Sequence, residues 1–250
     1  SRMSKYDKSV NQSREIFFEE IDGKKFFTVI DLVAESKKLV LMSHGFRGTS
    51  CGPARQFVDF ANLLNENGIS AVRFDQPHSG NSEGSYLQSS FIEWVKTTTY
   101  LAKKYIEAGY EVSLMGQSMG ASTSVIASAQ QELRGKISAL LLWVPDPKST
   151  TQVIPEKVYE EGGQKYYGKF WQEAKDSDFF SCLEQFEGKI HLVYGEDDRY
   201  IKPELRQQVI DLANKKGAQV DILSGEDHSP WKYESALDMM RKHVELLKEI

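Results

Sequence analysis

A glycine-flanked serine is the residue whose surroundings in this sequence point most directly to chemistry. Residues 116–120 read Gly-Gln-Ser-Met-Gly and match the pattern G-x-S-x-G around Ser118. An apolar run at 111–115 precedes the motif, and residues 121–129 form a small-residue segment that can become a helix. A strand, a sharp turn that carries the serine and a following helix make up a nucleophile elbow. The arrangement therefore predicts Ser118 as a nucleophile.

A serine nucleophile needs a base, because its hydroxyl group is weakly nucleophilic at neutral pH. When a triad is built around such an elbow, the chain order is serine, acid and then histidine. Only His228 and His243 lie beyond the late apolar run that should carry the acid. His243 falls in an amphipathic terminal segment, which indicates a surface or packing role, whereas His228 follows the run at 219–223 in a loop. We therefore predict His228 as the general base, and we interpret His191 as a hydrogen-bonded core histidine.

The base in turn needs a carboxylate, which fixes its tautomer and stabilises the imidazolium ion. Asp197 and Asp198 follow the apolar run at 190–194, and Asp146 follows the earlier run at 137–144. All three aspartates are candidates for the acid, and the residues by themselves leave the choice between them open.

Two backbone N–H groups are candidates for binding an oxyanion. One belongs to Met119, which follows the nucleophile at the start of the predicted helix, where N–H groups point out of the helix end. The other should come from the loop after the first parallel strand. Residues 43–48 in that loop read Ser-His-Gly-Phe-Arg-Gly, and Gly45 permits an unusual backbone conformation there. The Phe46 N–H is therefore the second predicted donor.

Alternating strand and helix patterns must position these residues. Two apolar strands within residues 14–33 meet at Asp22-Gly23, a dipeptide typical of a hairpin turn. Short apolar runs then alternate with segments of helical periodicity, and continuous apolarity is typical of strands buried on both faces. These runs lie at 39–42, 70–74, 111–115, 137–144, 190–194 and 219–223. The pattern predicts an α/β fold with a mostly parallel sheet, an N-terminal antiparallel hairpin and helices on both faces.

Residues 145–187 are long for a crossover between strands, and we interpret them as a small cap or lid insertion within one domain that covers residues 1–250. The segment leaves the sheet at the edge where ligands bind in open α/β sheets. It is rich in aromatic residues, which line apolar pockets. On this interpretation the substrate-binding residues are Tyr166, Tyr167, Phe170 and Trp171. The alternative is that these aromatic side chains only pack the insertion onto the body of the protein.

Composition argues against several classes of protein. The net charge is −5 and the basic residues form no cluster, which disfavours a nucleic-acid partner. No run approaches the roughly eighteen apolar residues of a membrane-spanning helix, and the first residues show no apolar core that would indicate a signal peptide. Cys51 and Cys182 do not read as a disulfide framework or a zinc site. Free thiols fit a reducing compartment, so we predict a cytoplasmic protein.

Taken together, these motifs resemble the α/β-hydrolase superfamily from about residue 15 to the C-terminus. Within it the chain is similar to bacterial esterases of the feruloyl (cinnamoyl) type. The resemblance is carried by His-Gly-Phe at 44–46, Val-Arg-Phe-Asp at 72–75, Gly-Asn-Ser-Glu-Gly at 80–84, the elbow, residues 195–201 and His228. In such families the acid commonly stands three residues after a glycine that ends the strand. Counted from Gly195, the resemblance implies Asp198 rather than Asp197.

Two positions depart from the family pattern. The usual Gly-His-Gly after the Arg-Phe-Asp strand is replaced by His-Ser-Gly at 78–80, and Gln117 stands before the nucleophile where histidine is commoner. Neither change removes a catalytic group. Both bear on the subfamily and therefore on the substrate, because fold and triad are shared by many chemistries.

The residues and the resemblance together predict a serine carboxylic-ester hydrolase that works through an acyl-enzyme. Its small-molecule substrates would be esters of hydrophobic or aromatic acids, including hydroxycinnamic acids, and the chemistry requires no metal and no organic cofactor. The same triad could serve a thioesterase, an acyltransferase or a peptidase, and the fold could also carry a non-catalytic binding protein. A complete triad argues against a binding protein, since binding alone gives no reason to place all three groups. The acyl group, the alcohol and the oligomeric state are left open by the sequence.

Overall fold

An eight-stranded sheet forms the centre of the molecule in the computed structural model, which describes residues 14–250. Residues 1–13, where the sequence shows no signal-peptide pattern, lie outside the described residues. The strands in chain order are β1 (Arg14–Ile21), β2 (Lys24–Asp31), β3 (Lys38–Ser43), β4 (Ser70–Phe74), β5 (Glu111–Gln117), β6 (Ala139–Trp143), β7 (Val158–Glu161), β8 (Gln164–Tyr167), β9 (Lys189–Gly195) and β10 (Gln219–Leu223). The order across the large sheet is β1-β2-β4-β3-β5-β6-β9-β10.

The predicted hairpin and the predicted parallel sheet are both confirmed. β1 pairs antiparallel with β2, and the turn residues Asp22 and Gly23 have φ values of 51° and 80°. Positive φ at both central positions is what a two-residue hairpin turn of the primed type requires. β2 pairs antiparallel with β4, and every later pair in the large sheet is parallel. All residues of β4 and β6 are buried, which explains their unbroken apolar runs.

Helices cover both faces of the sheet, as the alternating pattern predicts. They are α1 (Gln56–Glu66), α2 (Phe91–Glu107), α3 (Met119–Ser128), α4 (Lys169–Asp176), α5 (Phe179–Gln185), α6 (Pro203–Lys215) and α7 (Tyr233–Lys248). α1 packs against α7, and α2 packs against α3. α3 differs from the others because all of its residues are buried, and its many small side chains make this close packing possible.

The segment 145–187 has a secondary structure of its own. β7 and β8 form a two-stranded antiparallel hairpin apart from the large sheet, and α4 and α5 follow it. α4 packs against α2, and α5 packs against α3. The segment therefore lies on the same helical layer that adjoins the serine elbow.

Two histidines belong to the core where α7 packs on the sheet. His243 is fully buried, and its Nε2 accepts a hydrogen bond of 2.7 Å from the indole N–H of Trp143. His191 is also fully buried, and its Nε2 lies 2.6 Å from a carboxylate oxygen of Asp221. Burial lowers the pKa of both histidines. Of the two roles predicted for His243, surface or packing, the buried position fits packing, and the position of His191 fits the predicted core role.

Candidate active site

Ser118 lies in a sharp turn between β5 and α3. Its backbone torsions are φ 56° and ψ −117°, a conformation that a non-glycine residue adopts only under strain. The flanking glycines allow the strand and the helix to approach this closely. A Cβ atom at Gly120 would collide with the carbonyl oxygen of Ser43, and one at Gly116 would collide with that of Gly120. Backbone geometry therefore holds the Ser118 hydroxyl at the carboxyl end of β5.

Ser118, His228 and Asp198 form one continuous chain of hydrogen bonds. The Oγ of Ser118 lies 3.1 Å from Nε2 of His228, whose Nδ1 lies 2.7 Å from Oδ2 of Asp198. Asp198 is 4% exposed, and its Oδ1 accepts hydrogen bonds from the N–H groups of Tyr200 (2.9 Å) and Ile201 (3.2 Å). A buried carboxylate that faces Nδ1 keeps the proton on that nitrogen, so Nε2 is left to accept the serine proton. The arrangement can therefore turn the hydroxyl into a nucleophile.

The other two candidate aspartates lie apart from this chain of hydrogen bonds. Asp197 is exposed, and its N–H donates to the carbonyl oxygen of Glu226. Asp146 forms an ion pair with Lys148, whose Nζ lies 3.1 Å from Oδ2. The carboxylate that meets His228 is thus the one that the family resemblance indicates.

The two predicted oxyanion donors lie next to the serine. Met119 is the first residue of α3, and Phe46 stands in the loop after β3. Gly45 approaches Gln117 so closely that a Cβ atom at Gly45 would collide with the Gln117 side chain. Within residues 14–250 the backbone N–H groups of Phe46 and Met119 donate no hydrogen bond. Both N–H groups can therefore serve a carbonyl oxygen that becomes negative next to Ser118.

His44 fixes the peptide plane that carries one of these donors. Its Nε2 lies 2.9 Å from the backbone nitrogen of Gln76, and because an N–H group can only donate, Nε2 is the acceptor. The ring proton is therefore on Nδ1, which donates to the carbonyl oxygen of Gly45 at 2.8 Å. The C=O and N–H of a trans peptide point in opposite directions, so this bond also orients the Phe46 N–H. Burial lowers the pKa of His44, which keeps the ring neutral.

A side-chain hydrogen bond joins the elbow to the loop that carries the histidine. Gln117 directly precedes the nucleophile, and Ser229 directly follows the base. The Nε2 of Gln117 donates to the Oγ of Ser229 at 2.6 Å, and both residues are buried. A link between the immediate neighbours of Ser118 and His228 restricts the distance between the two reacting groups. Glutamine at this position departs from the family pattern, and it supplies this link.

An open cavity of about 500 Å³ lies beside the hydroxyl and imidazole groups. Two ion pairs stand in its wall, Lys148 with Asp146 at 3.1 Å and Arg47 with Glu161 at 3.7 Å. The Lys148 ammonium also lies 4.2 Å from the centre of the Trp171 ring, in a cation–π contact. The wall therefore combines balanced charges with the aromatic side chains of Phe46, Trp171 and Tyr200.

A family model described as serine aminopeptidase, S33, matches residues 34–176. The chain belongs to this family. The matched residues contain the elbow and both predicted oxyanion donors, while Asp198 and His228 come later in the chain. Among curated protein sequences, none matches this S33 hydrolase with significance.

Solved structures share the fold of this S33 hydrolase. Est1E from Butyrivibrio proteoclasticus, with bound ferulic acid, has a TM-score of 0.81 at 19% identity, and the alignment covers 93% of this chain and 99% of Est1E. A putative hydrolase from Agrobacterium vitis S4 has a TM-score of 0.75 at 14% identity, with 93% and 98% covered. An esterase from Pyrococcus furiosus has a TM-score of 0.67 at 16% identity, with 95% and 91% covered. The resemblance to the α/β-hydrolase superfamily and the predicted fold are confirmed.

The four predicted substrate-binding residues occupy different places in this S33 hydrolase. Trp171 lines the cavity. Tyr166 and Phe170 are buried outside the cavity wall, and together with Trp171 they surround the ring of Phe46. The distances from the Phe46 ring centre to these three rings are 4.8, 4.8 and 4.5 Å. Tyr167 is half-buried and also lies outside the cavity wall. The aromatic side chains thus pack the insertion onto the loop of a predicted oxyanion donor.

Arg47, Lys148 and Tyr200 are among the cavity-lining residues to which the sequence patterns assigned no role. Arg47 directly follows Phe46, and Tyr200 comes two residues after Asp198. Their position next to motif residues is the signal that could have indicated them. Lys148 lies at the start of the insertion, where the sequence has no recognisable pattern.

The described part of the S33 hydrolase contains neither a cluster of metal ligands nor a membrane-spanning helix. Across residues 14–250, no three or more His, Cys, Asp or Glu side chains come together in a way that could hold a metal ion. Cys51 and Cys182 are free thiols. In the same part of the chain, no helix is both long and apolar enough to cross a membrane.

Proposed function

We propose that the protein is a serine carboxylic-ester hydrolase that works through an acyl-enzyme. The observation that carries this proposal is the chain of hydrogen bonds from Ser118 through His228 to Asp198. Two backbone N–H groups beside the serine complement it. A serine activated by imidazole and faced by two donors is suited to attack a carbonyl carbon and to stabilise the resulting oxyanion.

In the first half of the proposed reaction, the Oγ of Ser118 bonds to the ester carbonyl carbon while Nε2 of His228 takes the hydroxyl proton. The carbonyl π electrons move to the oxygen, which is held by the N–H groups of Phe46 and Met119. Asp198 stabilises the imidazolium ion. When the tetrahedral intermediate collapses, the bond to the alcohol oxygen breaks and His228 returns its proton to that oxygen. The alcohol departs, and the acyl group stays bonded to the serine.

In the second half, water replaces the alcohol. His228 takes a proton from the water as the water oxygen attacks the acyl carbon, and the same two N–H groups hold the second oxyanion. Collapse breaks the bond to Ser118 Oγ, which receives the proton from the imidazolium. The products are the free carboxylic acid and the original enzyme.

The charges in the cavity wall favour an ester over the N-terminal amine that an aminopeptidase must bind. A cationic amine calls for a carboxylate partner. Asp146 and Glu161 are the carboxylates in the cavity wall, and each is already paired with a cation, Lys148 and Arg47 respectively. The structural neighbours with bound ferulic acid and with esterase activity in their names support the same choice.

We further propose that the chain is one domain in which residues 145–187 form a cap that takes part in selecting the acyl group. Trp171 supports this proposal, because it belongs to the insertion and lines the cavity. Tyr166 and Phe170 support it indirectly, since they hold the Phe46 ring from the side of the insertion. An aromatic wall favours hydrophobic or aromatic acyl groups, including hydroxycinnamic acids, over acetyl.

Covalent labelling tests the proposed nucleophile. A fluorophosphonate probe should label the wild-type protein and should not label Ser118→Ala. Ser122→Ala is the matched control, because Ser122 is a buried serine in α3, the helix that follows Ser118, and has no place in the chain of hydrogen bonds. Labelling that persists in Ser118→Ala would overturn the assignment.

A substrate screen tests the reaction type. The wild type should hydrolyse chromogenic acyl esters and hydroxycinnamate esters faster than acyl thioesters or aminoacyl amides with the same acyl groups. Faster turnover of the thioesters or the amides would replace the ester hydrolase by a thioesterase or a peptidase. Transfer of the acyl group to an added alcohol in preference to water would identify an acyltransferase.

A further inference from the structure

We propose that the Tyr200 ring forms the subsite for the leaving alcohol and selects alcohols that carry a flat aromatic ring. This proposal rests on the proposed ester hydrolase, because only that reaction has an alcohol as its leaving group. Tyr200 would then determine specificity for the leaving group, and the alcohol part of the ester would carry an aromatic ring.

The position of Tyr200 places it where the alcohol must leave. His228 returns the proton to the leaving oxygen, so the alcohol lies on the side of the cavity that the imidazole faces. The Tyr200 ring lies 4.8 Å from the His228 ring, centre to centre, at a tilt of 40°. Both residues line the same cavity. A group bonded to the leaving oxygen is therefore brought next to the Tyr200 ring.

The exposure of Tyr200 is unusual for a residue so close to the triad. Its surface is 69% exposed, although neighbouring Ile201 is 2% exposed. The backbone beneath the ring is fixed, because the N–H groups of Tyr200 and Ile201 both donate to Oδ1 of Asp198. A large ring on a fixed backbone offers contact area at a small cost in conformational entropy. The core therefore leaves most of this ring free for contact with a ligand.

The surroundings of the ring indicate which alcohols suit it. Arg199, the residue before Tyr200, has a side chain that is 85% exposed, but its Nε lies 2.6 Å from Oδ2 of Asp227. That ion pair balances the positive charge of the adjacent residue, and the Tyr200 ring itself is neutral. Aromatic rings prefer offset-stacked or edge-to-face contact with another aromatic ring. A benzyl-type alcohol therefore fits this subsite better than a saturated ring of similar size.

Three esters of one acid test the proposal: ethyl, cyclohexylmethyl and benzyl. All three alcohols are primary, so the chemical step is comparable and differences in kcat/KM report contact with the leaving group. The variants are Tyr200→Phe, which keeps the ring, and Tyr200→Leu, which removes it. Tyr233→Leu is the matched control, because Tyr233 is 66% exposed at the start of α7 and lies outside the cavity wall.

We expect the wild type to prefer the benzyl over the cyclohexylmethyl ester by roughly fivefold in kcat/KM, the size of one aromatic contact. Tyr200→Phe and the Tyr233→Leu control should keep this ratio, and Tyr200→Leu should reduce it to about one. A purely structural role of Tyr200 would lower kcat/KM for all three esters equally and leave the ratio unchanged, which would overturn the proposal.

A second measurement in the wild type does not depend on the folding of any variant. Benzyl alcohol should inhibit the hydrolysis of the ethyl ester more strongly than cyclohexylmethanol does, and equal inhibition would count against the subsite. Failure of the proposed function has a different signature. In that case the wild type would hydrolyse none of the three esters, whether or not Ser118 reacts with the fluorophosphonate probe, and this inference would fall with it.

Discussion

The serine elbow and the insertion at 145–187 lie next to each other but owe their shapes to different forces. At the elbow, glycines let backbone approach backbone, and the acid is held by two backbone N–H groups. In the insertion, aromatic side chains pack edge-on or tilted around the Phe46 ring. A glycine at which backbone atoms touch cannot be replaced by a larger residue, whereas packed side chains can be exchanged for others of similar volume. The reaction should therefore depend on the elbow, and the choice of acyl group on the insertion.

The largest expected effect comes from the acid. Asp198→Asn should preserve the fold but lower kcat by about 10⁴-fold, because an amide no longer selects the required histidine tautomer. Asp197→Asn is the matched control and should stay within about twofold of the wild type, since an exposed surface residue contributes little. Steady-state kinetics on the best ester and a thermal melt of each variant measure both effects. The reverse ranking would refute the choice of Asp198, and two equally mild effects would point to Asp146.

The next largest expected effect is on the free energy of unfolding, and it should differ between a glycine of the elbow and a glycine of the insertion. Gly120→Ala should lower the free energy of unfolding by at least about 3 kcal/mol, because its Cβ atom would collide with a backbone carbonyl oxygen. Gly163 lies in the turn of the β7–β8 hairpin with a φ of 81° and open space around it. Gly163→Ala should therefore cost only the strain of a left-handed backbone, roughly 1–2 kcal/mol. Urea denaturation measures both values, and an equal loss in the two variants would contradict the contrast between the regions.

Low pH should destabilise the body of the protein rather than the insertion, because the insertion contains no histidine. Burial lowers the pKa of three histidines below the ordinary value of 6.5: His44, His191 and His243. As the pH falls, these histidines therefore become protonated in the unfolded chain before they do so in the folded protein. Well above pH 6.5 these histidines do not affect the free energy of unfolding, because they are neutral in the unfolded chain as well. As the pH falls below that value, stability should decrease by up to about 1.4 kcal/mol per pH unit for each histidine.

Urea denaturation at pH 7.5, 6.5 and 5.5 measures this dependence. The free energy of unfolding should fall by up to about 1 kcal/mol between the first two values and by up to about 3 kcal/mol more towards the third. A stability that is the same at pH 7.5 and pH 5.5 would show that these histidines accept protons in the folded protein.

The smallest expected effect separates two neighbouring aromatic residues of the insertion. Trp171→Leu should change the ratio of kcat/KM between cinnamoyl and acetyl esters by roughly three- to tenfold, because Trp171 lines the cavity. Phe170→Leu should lower the free energy of unfolding by about 1–2 kcal/mol and leave that ratio unchanged, since Phe170 is fully buried away from the cavity wall. An unchanged ratio in Trp171→Leu would show that the insertion does not choose the acyl group.

Local patterns in the sequence predict the strands, the main helices and the residues that follow them. Ser118 and His228 could be predicted because the elbow motif and the chain order restrict where they stand. Asp198 could be predicted only from the family resemblance, in which the acid follows the glycine at the strand end, here Gly195 at the end of β9, by three residues. The bond between Gln117 and Ser229 could not be predicted, because the two side chains are 112 residues apart and are ordinary polar residues. The packing of Phe170 into the core could not be predicted either. An aromatic residue looks the same in the sequence whether it packs into a core or lines a cavity.

The order of elements along the chain has a consequence for the protein while it is being made. The elbow and the loop of Phe46 belong to strands that leave the ribosome before β9 and β10. Asp198 and His228 follow β9 and β10, so neither can reach its place until those strands have joined the sheet. Until then the Ser118 hydroxyl is an ordinary alcohol. A partly synthesised chain should therefore be inert towards the esters of the cell, and reactivity should arise only when the late strands dock.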